Sequence, residues 1–182
     1  MMLSDKTIQE FIAQNKIIID PPYNLQNVRP VGIRLHLGQE ILIPIGGQRI
    51  DLDSNDEIKF DRISILKDNF VLKPGQFILG STFEKFQVPR DIVCHIEGRS
   101  TVARLGLAVH CTSGIIDGNF EEARTVVLEI KNQGPFEIIL RCKTALAMLT
   151  FTQLTTEIDQ MAQEQYRGQN GVVAPNLQLQ KQ

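Results

Sequence analysis

The chain has 182 residues, of which 42% are hydrophobic and 22% charged, and its formal net charge is -2 at pH 7. This length suits one domain with a substantial core and is short for two, and the near-neutral charge argues against a general nucleic-acid binder. The N-terminus lacks the apolar segment of a signal peptide, and no apolar run approaches the length of a membrane span. We therefore expect a cytoplasmic protein that contacts neither nucleic acid nor membrane.

The predicted elements are one short helix followed by many short strands. Ser4 is a plausible N-cap for a helix that ends near Asn15, and apolar segments broken by turn residues continue from there to Phe151. Strands are predicted at 17–19, 33–37, 40–43, 70–72, 77–79, 92–96, 107–111, 126–130, 136–140 and 146–151. This spacing is typical of a β-sandwich, jelly roll or barrel. The glutamine-rich tail from Thr152 onward is expected to be a mobile arm, or one that orders on a ligand or a neighbouring subunit.

The three cysteines do not form a recognisable metal motif. Cys94 is followed by His95, and Cys111 is preceded by His110, but adjacent residues of a strand point to opposite faces. The chain contains no C-x-x-C and no H-E-x-x-H pattern. The sequence therefore predicts buried thiols in a reducing compartment and no zinc site.

One segment has the composition of an anion-binding site. The sequence GRSTVARLGL at 98–107 combines two arginines, two hydroxyl side chains and glycines within a chain of little net charge. The guanidinium group of arginine suits phosphate oxygens, and glycine lets backbone amides approach an anion. A solvated turn between two strands is the alternative interpretation of the same residues.

A glutamate interrupts an apolar strand further along the chain. On an alternating strand, Val127 and Glu129 share one face, whereas Val126, Leu128 and Ile130 share the other. Such a carboxylate lies either at a solvated edge or in a cavity with an assigned partner. In a cavity, Glu129 would be a candidate general acid or base.

These segments together resemble the dCTP deaminase family of the dUTPase-like superfamily. The resemblance covers nearly the whole chain through LSD at 3–5, LHLG at 35–38, LKPG at 72–75, GRSTVARLGL at 98–107, the residues 110–117, VLE at 127–129 and YRGQNG at 166–171. It implies a mainly β fold, a distorted β-barrel or jelly roll of the dUTPase-like type, with a β domain at 1–151 that includes the short N-terminal helix. It further implies a homotrimer whose active sites lie between subunits, each closed by a C-terminal arm at 152–182.

The resemblance also implies a zinc-independent deamination of dCTP to dUTP and ammonia. Water attacks C4 of cytosine, Glu129 acts as general base, and Ser100 and Arg104 position the water and the carboxylate. Nucleotide contacts are implied for Arg99, Ser100 and Thr101 at the triphosphate, Asp117 at the sugar 3′-hydroxyl, Phe120 against the deoxyribose, and Tyr166 and Gln169 on the arm. Mg²⁺ is expected to bridge the triphosphate oxygens without a direct protein ligand, and dTTP is suggested as an inhibitor.

Two departures from the family pattern leave other functions open. Arg34 stands where the family usually has an aspartate, and SGIID at 113–117 looks like the dUTPase loop in which the aspartate activates a water for phosphate cleavage. One alternative is therefore a bifunctional enzyme that also uses Asp117 to give dUMP and pyrophosphate. Another is a non-catalytic nucleotide-binding relative. A simple dUTPase fits less well, because the glycine-rich C-terminal phosphate motif of that family is missing.

Overall fold

The computed structural model describes residues 1–22, 24–117, 122–159, 166 and 168–177. Within these ranges the chain forms α1 (Asp5–Ala13), a short 3-10 helix (Leu25–Asn27), α2 (Ser100–Ala103) and fourteen strands. The strands, numbered along the chain, are β1 (Ile18–Asp20), β2 (Val28–Arg29), β3 (Gly32–His36), β4 (Glu40–Pro44), β5 (Phe60–Ser64), β6 (Phe70–Leu72), β7 (Phe77–Ser81), β8 (Lys85–Gln87), β9 (Ile92–Gly98), β10 (Leu107–Ala108), β11 (Ile115–Ile116), β12 (Val127–Asn132), β13 (Ile138–Leu140) and β14 (Ala145–Gln153).

Two five-stranded antiparallel sheets form the body of the fold. The first sheet has the strand order β11-β9-β14-β3-β2, and the second has the order β10-β12-β7-β4-β5. Two shorter pairs, β1 with β8 and β13 with β6, extend this framework. The mainly β, jelly-roll-like architecture expected from the sequence is confirmed.

The core lies between the inner faces of the two sheets. Its buried members include Ile33, Leu35, Ile96 and Leu149 from the first sheet and Ile41, Ile78, Leu128 and Ile130 from the second. Strand β12 alternates as predicted, because Leu128 and Ile130 are buried whereas Val127 and Glu129 are only partly so. Since successive side chains of a strand point to opposite faces, Glu129 lies on the outer face of the second sheet.

The N-terminal helix is confirmed, with one difference at its first turn. Ser4 occupies the N-cap position, but its side chain makes no capping hydrogen bond to the helix backbone. Its carbonyl oxygen accepts the N–H of Ile8, the one buried residue of the helix, and Asp5 N–H donates to Pro30 O. The chain before the helix is held to the first sheet by Leu3 N–H, which donates to Phe151 O. Backbone contacts to the sheet thus replace the side-chain cap.

The structure differs from the sequence prediction in the segment at 98–107, which we call the arginine motif. The residues following Arg99 form the one-turn helix α2 rather than a simple turn between strands. The strand predicted at 107–111 is limited to Leu107–Ala108, and in the loop that follows it the N–H of Cys111 donates to a Glu129 carboxylate oxygen. Strands β2, β5, β8 and β11 were not anticipated.

No helix in the described part of the chain is long and apolar enough to cross a membrane.

Candidate active site

The arginine motif connects the two sheets: the chain leaves the first sheet at the end of β9 and joins the second sheet at β10. Between them, α2 is followed by Gly106, whose φ is +80°. A Cβ atom at Gly106 would lie 2.5 Å from the backbone nitrogen of Gly134. Gly106 O also accepts the N–H of Gln133, so the end of the motif is fixed against the turn that follows β12. Glycine is required at position 106 both for its backbone conformation and for this close approach.

Arg99 is held by a backbone carbonyl and lies close to other arginines. Its Nη1 donates to Ala145 O at 2.6 Å. Burial of the guanidinium, followed by the positive charges of Arg34 and Arg29, lowers the pKa of Arg99. The positive charge of Arg99 therefore interacts with those of two other arginines on the first sheet.

The other motif residues present open polar groups. Ser100, Thr101 and Arg104 are all exposed. None of their side chains forms a hydrogen bond or ion pair with another described residue, whereas Arg104 N–H donates to Ser100 O within the helical turn. Their hydroxyl and guanidinium groups are therefore available to a ligand.

Glu129 is held by the loop that follows β10. Its Oε2 accepts the N–H of Cys111 at 2.9 Å, and the Cys111 thiol donates to Glu129 O at 3.6 Å. The other carboxylate oxygen, Oε1, accepts no hydrogen bond from any described residue. One oxygen is thus fixed by the backbone, and the second is free to accept a proton or to orient a water molecule.

The pKa of the Cys111 thiol depends on its contact with Glu129. Burial raises the pKa of Cys111, the Glu129 carboxylate raises it further, and the positive charge of Lys131 opposes them. Burial alone raises the pKa of Cys94 well above its ordinary value. All three cysteines are free, but only Cys94 is buried: Cys142 is partly buried and Cys111 is exposed, so the prediction of buried thiols is wrong for these two. The Cys94 and Cys111 thiols, with their raised pKa values, stay protonated near neutral pH.

His110 is a residue of this region to which the sequence analysis assigned no role. Its Nδ1 is buried and has no hydrogen-bond partner among the described residues. A Cβ atom at Gly114 would lie 3.5 Å from this nitrogen, so a larger residue at position 114 would crowd the ring. Burial of a polar atom without a partner is uncommon in folded proteins. The only sign of this in the sequence was the position of His110 next to Cys111.

Asp117 and the residues after it were predicted to contact the sugar. Asp117 is exposed and directly follows β11, which pairs with β9 at the edge of the first sheet. Phe120 lies outside the described residues. The structure thus positions Asp117 on a different sheet from Glu129, and its predicted contact with the sugar stays a prediction.

The described part of the C-terminal arm folds onto the second sheet of its own chain. Gln169 Nε2 donates to Thr125 O at 3.1 Å, and Gly171 N–H donates to Thr125 Oγ1 at 2.9 Å. Val172 packs in a second apolar cluster with Leu79 and Leu42. Because Leu79 is the cross-strand partner of Glu129, the arm covers the same face of the sheet that carries this glutamate.

Tyr166 belongs to the same folded segment of the arm. Its carbonyl oxygen accepts the N–H of Gln169, and its hydroxyl oxygen accepts the N–H of Asn176 at 3.3 Å. Tyr166 is 39% exposed. The arm residues predicted to contact substrate, Tyr166 and Gln169, therefore lie together in one loop beside Thr125.

The structure does not bring every predicted site residue together within one chain. Leu107 pairs with Asn132, which lies three residues beyond Glu129 on β12. At the rise of a strand, this places the start of β10 about 10 Å along the sheet from Glu129. Among the described residues, neither Ser100 nor Arg104 forms a hydrogen bond or ion pair with Glu129.

Comparison with known proteins shows the family of this chain. The family model described as "dCTP deaminase-like" matches residues 2–154. The chain belongs to the dCTP deaminase-like family. It is 32% identical to a dCTP deaminase of Haloarcula marismortui over 98% of this chain and 95% of that protein. It is 34% identical to a dCTP deaminase, dUMP-forming, of Methanobrevibacter smithii over 85% of this chain and 81% of that protein.

A solved structure supports the same fold. The 2'-deoxycytidine 5'-triphosphate deaminase from Agrobacterium tumefaciens superimposes with a TM-score of 0.64 at 18% identity, over 82% of this chain. The match spans 47% of that longer chain. The family match confirms the resemblance noted in the sequence, and this superposition supports the mainly β, jelly-roll-like fold.

Proposed function

We propose that this protein deaminates dCTP to dUTP and ammonia, with Glu129 as the general base. The observation that carries the proposal is the partly buried Glu129 carboxylate, fixed at Oε2 by the Cys111 amide and free at Oε1 of bonds to described residues. Family membership supplies the substrate class, because similar proteins are named dCTP deaminases. The role of Glu129 rests on the match of VLE at 127–129 to the family pattern.

In the proposed reaction, Glu129 takes a proton from a water molecule as the oxygen attacks C4 of cytosine. This proton passes to N3 as the tetrahedral intermediate forms, and the proton of the new C4 hydroxyl then passes to the exocyclic amino group. The bond from C4 to that amino nitrogen breaks, ammonia leaves, and C4 keeps the oxygen as a carbonyl. Water and dCTP are thereby converted to dUTP and ammonia, with no change in oxidation state. Ser100 and Arg104 would orient the water and the carboxylate, contributing to positioning rather than to proton transfer.

We further propose that each site is shared by two copies of the chain within a homotrimer. The separation of Ser100 and Arg104 from Glu129 within one chain supports this, because these residues must meet around one cytosine to perform the chemistry. A closed cyclic assembly would supply Ser100 and Arg104 from one copy and Glu129 from the next. Tyr166 and Gln169 would then contact nucleotide from the arm that lies on the Glu129 face.

Arg99, Ser100 and Thr101 are proposed to bind the triphosphate, and Asp117 the 3′-hydroxyl of the sugar. Mg²⁺ would be held through the phosphate oxygens, where it neutralises their charge. The described residues gather no group of three or more His, Cys, Asp or Glu side chains that could hold a metal ion.

A bifunctional enzyme that also forms dUMP is the second candidate. Several similar proteins are named dUMP-forming, and Asp117 is an exposed carboxylate that directly follows β11. In this case, Asp117 would activate a water for attack on the α-phosphate, and pyrophosphate would leave. The two candidates share the deamination step and differ only in the fate of dUTP.

Separate measurement of ammonia and pyrophosphate tests both candidates. The purified protein is incubated with dCTP or with dUTP in the presence of Mg²⁺. Ammonia from dCTP with dUTP left intact supports the deaminase alone, and pyrophosphate from either nucleotide supports the bifunctional enzyme. Bound nucleotide without either product would overturn the enzymatic proposal in favour of a non-catalytic binding protein.

A further inference from the structure

Two arginines project from the same outer face of the first sheet. Arg34 on β3 lies opposite Met148 on β14, and Arg29 on β2 lies opposite Gly32. Gly32 and Arg34 are two residues apart on one strand, so Arg29 and Arg34 point to the same side of the sheet. Arg29 is exposed and Arg34 is half-buried.

Arg99 extends this pair to a cluster of three, which we call the arginine cluster. Gly98 is the cross-strand partner of Ala147, and the Arg99 guanidinium reaches along β14 to the carbonyl oxygen of Ala145. The charges of Arg34 and Arg29 contribute, after burial, to the lowered pKa of Arg99, in keeping with the neighbouring positions of the three residues in one sheet.

No described acidic residue neutralises the arginine cluster. Among the described residues, none of its three members forms an ion pair. Glu97 lies in the same cross-strand row as Arg34 but on the far side of Met148, about 10 Å away at the usual strand spacing. The buried Glu84 carboxylate is engaged by His36. Three like charges held together without an ion-pair partner among the described residues are unfavourable, and a bound anion would relieve their repulsion.

We propose that Arg29 and Arg34, together with Arg99, bind the outer phosphates of the nucleoside triphosphate and thereby select triphosphates over monophosphates. The cluster is continuous with the exposed hydroxyls of Ser100 and Thr101, which follow Arg99 directly. Guanidinium groups bind phosphate oxygens through paired, charge-assisted hydrogen bonds. The identity of the nucleotide rests on the proposed function, whereas binding of a polyphosphate depends on the cluster alone.

Calorimetric binding of inorganic tripolyphosphate tests the proposal without any chemistry. We expect R29A and R34A each to weaken tripolyphosphate binding at least about tenfold, since each removes a charge-assisted contact. R49A is the matched control, because it removes an exposed arginine outside the cluster and is expected to leave binding unchanged. R34K keeps the charge without the planar fork, and we expect it to retain part of the affinity. The thermal midpoint without anion shows whether each variant is folded.

Three results would overturn the proposal. The first is that R34A and R29A are both folded and bind tripolyphosphate with the same affinity as the native protein. The second is an equal loss of affinity in R49A, which would reduce the effect to net charge. The third is a drop in oligomeric mass of R34A with unchanged anion binding, which would assign the arginines to a contact between copies.

A failure of the proposed function would give different results from a failure of the cluster assignment. If the protein binds tripolyphosphate through the cluster but releases no ammonia from dCTP, the anion site stands and the deaminase proposal falls. If it releases ammonia while R29A and R34A discriminate dCTP from dCMP as the native protein does, the deaminase proposal stands and the cluster assignment falls.

Discussion

The Glu129 carboxylate accepts a hydrogen bond at 2.9 Å from the backbone N–H of Cys111, three residues beyond the end of strand β10. A backbone group of the loop after β10 thus fixes the proposed general base. Because the donor is a main-chain amide, most substitutions at Cys111 would preserve the contact, and its side chain can serve as a reporter of the charge on Glu129.

The first prediction concerns this reporter. E129Q removes a negative charge that raises the pKa of Cys111, so the thiol should ionise at lower pH and react faster with iodoacetamide near pH 8. K131Q removes the opposing positive charge and should shift the midpoint of the pH–rate profile upward. Both variants are measured in a C142S background, so that Cys111 is the exposed thiol. Shifts in the same direction for the two variants would contradict the electrostatic account.

The second prediction concerns the glycine at the end of the arginine motif. G106A combines a left-handed backbone conformation with a clash against the Gly134 backbone, whereas G75A has a similar φ of +77° and no atom within 4 Å of the added Cβ. We expect G75A to cost about 1–2 kcal/mol of unfolding free energy, from backbone strain alone. G106A should cost a further 1–3 kcal/mol, roughly, from overpacking. Urea denaturation measures both, and equal losses would argue against the clash.

The third prediction tests the buried contact between Glu84 and His36. The two oxygens of Glu84 engage His36 N–H at 2.9 Å and Nδ1 at 2.5 Å. E84A leaves the half-buried backbone N–H of His36 without its acceptor and should cost about 1–3 kcal/mol of unfolding free energy. E40A removes an exposed pair with Arg62 and should cost less than about 1 kcal/mol. Urea denaturation compares the two, and a loss in E40A as large as in E84A would be inconsistent with this assignment.

The fourth prediction tests whether the site is shared between copies of the chain. R104A and E129Q should each be inactive alone, because each lacks one side of the site. Co-expression of the two variants should restore about a quarter of native ammonia release, since random mixing in a cyclic assembly leaves that share of sites with both residues intact. As the control, the two variants are purified separately and then mixed under conditions in which subunits do not exchange; this mixture should stay inactive. Lack of recovery in a mixed assembly would mean that one chain holds the whole site.

Local sequence patterns predicted much of the fold and part of the site. The alternation along β12 correctly predicted that Leu128 and Ile130 are buried and that Glu129 faces away from them. This works because the two-residue period of a strand is a local property. The composition of 98–107 likewise indicated an accumulation of positive charge, although not the short helix that follows Arg99.

Contacts between distant parts of the chain could not be predicted in the same way. The bond between His36 and Glu84 joins residues 48 positions apart, and the anchor between Gly171 and Thr125 joins residues 46 apart. Such pairs depend on how distant segments of the chain pack together, and the local alternation of apolar and polar residues does not determine this packing. The proximity of Arg34 and Arg29 to Arg99 arises in the same way, from the order of β2, β3, β14 and β9 in one sheet.

Ammonia release from dCTP by the native protein and by E129Q, with dCTP affinity measured alongside, tests the central claim most directly. The native protein should release ammonia, and E129Q should bind dCTP comparably but release ammonia about a hundred- to ten-thousand-fold more slowly. The side-chain amide oxygen introduced by E129Q can still accept the Cys111 N–H, so the fold of the site is kept in this comparison. Undiminished ammonia release by E129Q, or none by a native protein that binds dCTP, would contradict the account.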